Sequence, residues 1–119
     1  MRREFKNKIV VVTGASGNLG REICRSFADA GAKIVAIDLD ERALYNLKVE
    51  FEAIKLDMMI ATCDITNRQS CQLAIDKVLQ VYGRIDALVN NAGITHIERF
   101  TKMDKTKNIT RKVMEVNFF

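Results

Sequence analysis

The stretch Thr13-Gly14-Ala15-Ser16-Gly17-Asn18-Leu19-Gly20 decides the fold. Ahead of it runs Ile9-Val10-Val11-Val12, a β-branched segment that reads as a buried strand. Behind it, from Arg21 to Ala30, Leu19, Ile23, Phe27 and Ala30 recur at helical spacing. A strand, a glycine-rich turn and a helix in that order make a phosphate-binding device. The first amides of a helix have no partner inside it, and the helix dipole concentrates positive partial charge there. A diphosphate satisfies both if the backbone is bare enough to approach. Gly14, Gly17 and Gly20 supply the bareness.

Working outward, a second strand, Lys33 to Ile37, ends at Asp38, 18 residues past Gly20. A ribose-binding acid is expected roughly 20 residues beyond such a turn. Gly31 stands where a helix-terminating glycine belongs. Leu44, Leu47, Phe51 and Ile54 stripe a second helix over Glu41 to Ile54, and Met58 to Thr62 reads as a third strand. Thr66, with Gln69 three residues on, fits a capping box for a third helix over Arg68 to Tyr82, closed by Gly83. Asp64, at the end of the third strand, has two open readings. It accepts a hydrogen bond from an adenine amine, or it only caps backbone amides.

The fourth strand spans Ile85 to Val89, and Asn90-Asn91-Ala92-Gly93 follows. Such a turn can be merely tight, since Asn tolerates left-handed dihedrals. It can also let a nicotinamide ribose lie against the strand end while an Asn amide ties strands together. Residues 94–107 show little periodicity. His96, the one histidine, lacks the companions of a metal or triad site and reads as a loop residue near a substrate entrance. A last helix is expected from Thr106 or Asn108 through Ile109, Val113 and Val116.

Composition excludes several classes. At 119 residues with 48% hydrophobic content the chain reads as one globular unit. No apolar run approaches the ~20 residues of a membrane span, and none behind Met1 to Lys6 suits a signal peptide. A cytoplasmic location without membrane association is expected. Cys24, Cys63 and Cys71 fit no metal spacing and read as small buried hydrophobes in a reducing compartment. The net charge of +4 is mild. The basic cluster from Arg99 to Lys112 is interrupted by acids and has no stacking aromatics, so it reads as a solvated face, not a nucleic-acid site.

Taken together, the glycine turn, Asp38, Cys63-Asp64-Ile65-Thr66 and Asn90-Asn91-Ala92-Gly93 resemble the short-chain dehydrogenase/reductase family from Lys6 to Phe119. The resemblance implies an α/β, Rossmann-type doubly wound parallel sheet with strand order 3-2-1-4, incomplete at this length. It implies that Gly14, Gly17, Asn18, Leu19 and Gly20 line the diphosphate, that Ser16 in the same turn is cofactor-binding, and that Asp38 takes the adenosine ribose. Asp64 and Ile65 would face the adenine, and Asn90, Ala92 and Gly93 the second ribose. Glu115-Val116-Asn117 resembles the segment whose Asn positions a proton-relay water, which makes Asn117 the catalytic candidate. Asn-Asn-Ala-Gly marks the compact branch, whereas Gly-x-x-Gly-x-x-Gly is the spacing of the extended branch of nucleotide-sugar epimerases and dehydratases.

The family's catalytic Ser and Tyr-x-x-x-Lys have no counterpart. Tyr45 has Lys48 three residues on and Tyr82 has no such lysine, so both read as helix-packing residues. The expectation is the NAD-binding, N-terminal part of an oxidoreductase acting on a small alcohol or carbonyl compound, homo-oligomeric at full length and inactive by itself. A non-catalytic nucleotide-binding module and an extended-branch fragment are the alternatives. Asp38 repels a 2′-phosphate and Leu39 beside it offers no positive charge, so NAD is expected over NADP.

Overall fold

The computed structural model describes residues 4–92, 97 and 113–117. Its elements run β1 (Ile9–Thr13), α1 (Asn18–Asp29), β2 (Lys33–Asp38), α2 (Glu41–Ala53), β3 (Met58–Thr62), α3 (Arg68–Tyr82), β4 (Ala87–Asn90) and β5 (Met114–Asn117). The strands form one parallel sheet in the order β3-β2-β1-β4-β5. The expected 3-2-1-4 order stands, with β5 added beside β4.

Alternation along β1 sends side chains to both faces of the sheet. Val10 and Val12 join Ile23, Cys24, Leu44 and Phe51 in one core, beneath α1 and α2. Ile9 and Val11 join Cys71, Ile75, Val78 and Ile97 in the other, beneath α3. Both faces of β1 are therefore covered, which is why its sequence is a continuous apolar run rather than an alternating one. The three cysteines are buried thiols, with the sulfurs of Cys63 and Cys71 3.8 Å apart. Burial pushes the Cys24 thiol up to about 12.

Four expectations need correction. Residues 114–117 are a strand, not part of a helix. Val113 and Val116 fit helical spacing, but the edge of β4 offers a row of backbone partners. Pairing Ala87 with Met114 through Asn90 with Asn117 satisfies it. The residues proposed to start that helix lie outside the described residues, as do the basic cluster and His96. Second, Thr66 does not cap α3. Asn67 does, its side chain accepting from the Ser70 amide at 2.9 Å, while the Thr66 hydroxyl donates to Asp64 at 2.6 Å. Third, Leu19 and Ile54 are exposed rather than packed. Leu19 lies in the first turn of α1, where the helix leaves the sheet, and Ile54 lies past the last residue of α2. Fourth, Tyr45 is 60% exposed, because Leu44 and Leu47 take the inward positions of α2, whereas Tyr82 does pack against the α3 core.

Candidate functional site

The site follows the carboxyl edge of the sheet, where ligands of open α/β folds bind. At the end of β1, Gly14 takes φ +63°, a left-handed conformation that side chains disfavour. A Cβ there would lie 3.1 Å from the Ala92 Cβ and 3.2 Å from the Asn91 amide nitrogen. Gly20 is required for closeness instead. A Cβ on it would lie 2.1 Å from the Gly14 carbonyl oxygen, so only a glycine lets α1 leave β1 this tightly. Gly17 is the N-cap of α1 with extended backbone and no side chain to cap with, and the first turn carries no acid. Asn18 and Leu19 are exposed beside it and Ser16 is half-buried. The amino end of α1 thus keeps its positive partial charge and its unpartnered amides for an anion.

Asp38 ends β2 next to that turn. Its Oδ2 accepts from the Ser16 amide at 3.1 Å and the Ser16 hydroxyl at 2.6 Å. Its Oδ1 accepts from the amides of Leu39 at 2.8 Å and Asp40 at 3.4 Å. The structure therefore joins two residues that are 22 apart in sequence. The next strand is tied in as well, since the Cys63 amide donates to the Asp38 carbonyl at 2.9 Å. Asp64 follows, and it does cap locally: Oδ1 accepts from the Thr66 amide and hydroxyl. Those two bonds, the hydroxyl's first, hold its carboxyl below the usual range despite an opposing effect of burial. Ile65 packs partly buried against the α3 core. Asp64 thus caps a backbone amide through Oδ1, while its second oxygen accepts from no donor among the described residues.

On the other side of β1, Thr13 is fully buried and its hydroxyl is a junction. It donates to the Val89 carbonyl at 3.4 Å and accepts from the amides of Asn91 and Ala92 at 3.1 and 3.3 Å. The Asn91 side chain donates to the Gly14 carbonyl at 3.2 Å. The Asn-Asn-Ala turn and the glycine turn are thereby one hydrogen-bonded body. Thr13 and Asn91 stand in the two quoted motifs, but the sequence alone assigns neither of them a role. The readable signal was a hydroxyl at the end of an otherwise apolar buried strand, which is tolerated only when bonded.

Asn90 is 1% exposed. Its amide nitrogen donates to Asn117 Oδ1 at 3.1 Å and Glu115 Oε1 at 3.3 Å, so an Asn amide does tie neighbouring strands together. Its Oδ1 is buried and has no partner among the described residues. Leaving such an acceptor unmet costs about 1–3 kcal/mol, a cost that a bound donor would remove. Asn117 lies at the carboxyl end of β5, in register with Asn90. Gly93 lies outside the described residues. The remaining candidates all fall on one edge of the sheet.

The family profile for short chain dehydrogenases matches residues 8–119. The chain belongs to the short chain dehydrogenase family. Over 97% of its length it is 37% identical to the Mus musculus protein "Dehydrogenase/reductase SDR family member 7B", of which the match covers 36%. It is 33% identical over 90% of its length to "3beta-hydroxysteroid dehydrogenase 2" of Eggerthella lenta, covering 41% of that protein. Among solved structures, a short chain dehydrogenase/reductase from Burkholderia phymatum in complex with NAD superimposes with a TM-score of 0.71 and 33% identity. That superposition covers 76% of this chain and 32% of the other. NAD+-bound xylitol dehydrogenase gives 0.71 and 31%, covering 76% and 35%. The chain spans a little over a third of the length of these curated relatives. Among the described residues no helix is long and apolar enough to cross a membrane, and no cluster of His, Cys, Asp and Glu could hold a metal ion.

Proposed function

We propose that the chain is the NAD-binding part of an oxidoreductase that moves a hydride between nicotinamide and the carbon of an alcohol or carbonyl substrate. The observation that carries the reading is the Asp38 carboxylate fastened to the lip of an uncapped glycine turn. That turn and that acid are what the two ends of an adenosine diphosphate moiety require. Two structural relatives solved with NAD bound support the same reading.

The residues fit the cofactor. Amides at Asn18, Leu19 and Gly20 would meet the diphosphate, with Gly14 and Gly17 keeping side chains out of its way. Asp38 and Ser16 would take the adenosine ribose, and Asp64 and Ile65 would border the adenine. Asn90, Ala92 and Gly93 would border the second ribose, with the unmet Asn90 Oδ1 as an available acceptor. When bound, the nicotinamide supplies the hydride donor or acceptor of the reaction. Asn117, held by Asn90, is the positioning residue for proton transfer that the chain itself carries. Neither Tyr45 nor Tyr82 has a lysine four residues on, so neither offers the family's Tyr-x-x-x-Lys as a partner for that proton.

Fluorescence titration of the intact natural protein with NADH and NADPH tests the cofactor. NADH is expected to bind more tightly, and tighter NADPH binding refutes the assignment. The 119-residue chain alone is expected to oxidise no alcohol, and NADH production above a blank refutes that part.

A further inference from the structure

β5 carries one acid, Glu115, and the alternation of the strand decides which way it faces. Val116 packs against the core beneath α1 and α2. Glu115 and Asn117, on either side of it in sequence, therefore share the opposite face of the sheet. Their register partners Leu88 and Asn90 share that face too, since Leu88 belongs to the core beneath α3. A half-buried carboxylate on such a face is costly unless it is hydrogen-bonded. One of its contacts is Asn90, whose Nδ2 donates to Glu115 Oε1 at 3.3 Å and to Asn117 Oδ1 at 3.1 Å.

An asparagine amide has nearly the same shape either way round, but its oxygen only accepts and its nitrogen only donates. Turned over, Asn90 would set its oxygen against the oxygens of both Asn117 and Glu115. Asn117 could relieve its side of the conflict by turning over as well. Glu115 could not, because an ionised carboxylate has no proton to offer. The two asparagines alone would thus have two self-consistent arrangements, in which either one donates to the other. The carboxylate admits only the one in which Asn90 donates.

We propose that Glu115 is a positioning residue: its carboxylate, acting through Asn90, fixes which way round the Asn117 amide stands. The same constraint leaves Asn90 Oδ1 as the acceptor that no described residue engages, and turns Asn117 Nδ2 away from Asn90. This inference rests on the reading of Asn90 and Asn117 as residues of the reaction site. It adds to them an acid that acts through its neighbours.

The test counts side-chain amide signals by NMR in the intact natural protein, with its asparagines isotopically labelled. The unaltered protein is expected to give one sharp pair of amide protons for Asn90 and one for Asn117. Glu115→Gln keeps the shape but brings a donor as well as an acceptor, so both pairs are expected to split or to broaden by exchange. Glu115→Ala removes the acid without adding a donor and is expected to do the same, so the outcome does not depend on the folding of one variant. Glu115→Asp keeps the charge and is expected to return single sharp pairs. Saturating NADH should also restore them in Glu115→Gln, because the second ribose needs Asn90 Oδ1 as its acceptor. NADH affinity of that variant should fall about twofold, the effect of halving the competent population. Single sharp pairs in both Glu115→Gln and Glu115→Ala overturn the inference. If the unaltered protein binds no NADH, the cofactor reading fails, while the signal count still decides whether Glu115 sets the arrangement.

Discussion

At the amino end of the sheet the chain closes on itself. Asp86, just before β4, accepts from the Ile9 amide at 2.8 Å and pairs with Arg84. Its own amide donates to the Ile9 carbonyl, its carbonyl accepts from Met114, and Lys33 donates to Lys8 across the neighbouring strand. At the carboxyl end the same strands finish in a helix start with no side-chain cap, a buried Asn90 oxygen with no partner among the described residues, and glycines held close. α2 and α3 do not share this openness, since Asp40 and Asn67 cap them from within the chain. Satisfied groups make a floor. Unsatisfied groups, kept in place by a bonded frame of Thr13, Asn91 and Ser16, make a receptor. The difference lies in where the hydrogen bonds stop, since both ends belong to the same five strands.

The frame of the open end is most easily broken at Gly20. An added Cβ would collide with backbone at Gly14 and Ala15, neither of which can rotate away. Gly20→Ala is expected to cost about 3 kcal/mol or more in urea unfolding, at the upper end of overpacking effects. A loss below about 1 kcal/mol would show that the α1 start relaxes freely.

At the closed end the weakest point is Asp86. Partial burial raises its carboxyl, but the Arg84 hydrogen bond, the Ile9 amide and the charges of Arg84 and Lys8 outweigh burial and hold it below the usual range. A folded value below the unfolded one means that the carboxylate's stabilisation is fully present above pH ~3.9 and is lost as pH falls through the lowered folded value. Asp86→Asn is expected to cost roughly 1–2 kcal/mol at pH 7. Its gap to wild type should close as the unfolding titration is carried into that acid range. A gap that persists at the lowest pH would mean that charge contributes nothing there.

Most of the frame was legible in the sequence, because its causes are local. The run from Ile9 to Thr13, the glycine at 83 with its left-handed φ of 73° and the stripe Leu44-Leu47-Phe51 each announce themselves within one element. What the sequence does not show is non-local or degenerate. Val113 and Val116 suit a helix as well as a strand, and only the vacant edge of β4 decides between them. The Ser16–Asp38 bond exists because β1 and β2 are neighbours in the sheet, which the spacing of the two residues does not state. The cap of α3 lies at Asn67, one residue past Thr66. Thr66 and Asn67 both suit the position, but the Thr66 hydroxyl is engaged by Asp64 while the Asn67 side chain accepts from the Ser70 amide.

That last pair gives a smaller test of the contrast between capped and uncapped helices. Asn67→Ala is expected to destabilise the protein by about 1 kcal/mol, the usual cost of a lost N-cap. Thr66→Val should stay within about 0.5 kcal/mol, as for an exposed side chain outside the helix. The reverse ranking would return the cap to Thr66. Thermal midpoints of the two variants, measured side by side, are sufficient.

The smallest expected effect on folding comes from giving α1 what the other helices already have. Gly17 has an ordinary φ of −75°, and a Cβ on it would meet only the Gly14 carbonyl oxygen, at an acceptable 3.6 Å. Gly17→Asp can therefore be built without strain, and its carboxylate can accept from the first amides of α1. Replacing a glycine N-cap with an acid stabilises a helix by roughly 0.5 kcal/mol. The same carboxylate occupies the amides proposed for the diphosphate and repels its charge, so NADH affinity should fall by at least about tenfold. Stability and binding would then move in opposite directions from one substitution. A helix start left bare by accident would show the first change without the second, which makes the pair of measurements decisive for why this end of the sheet is open.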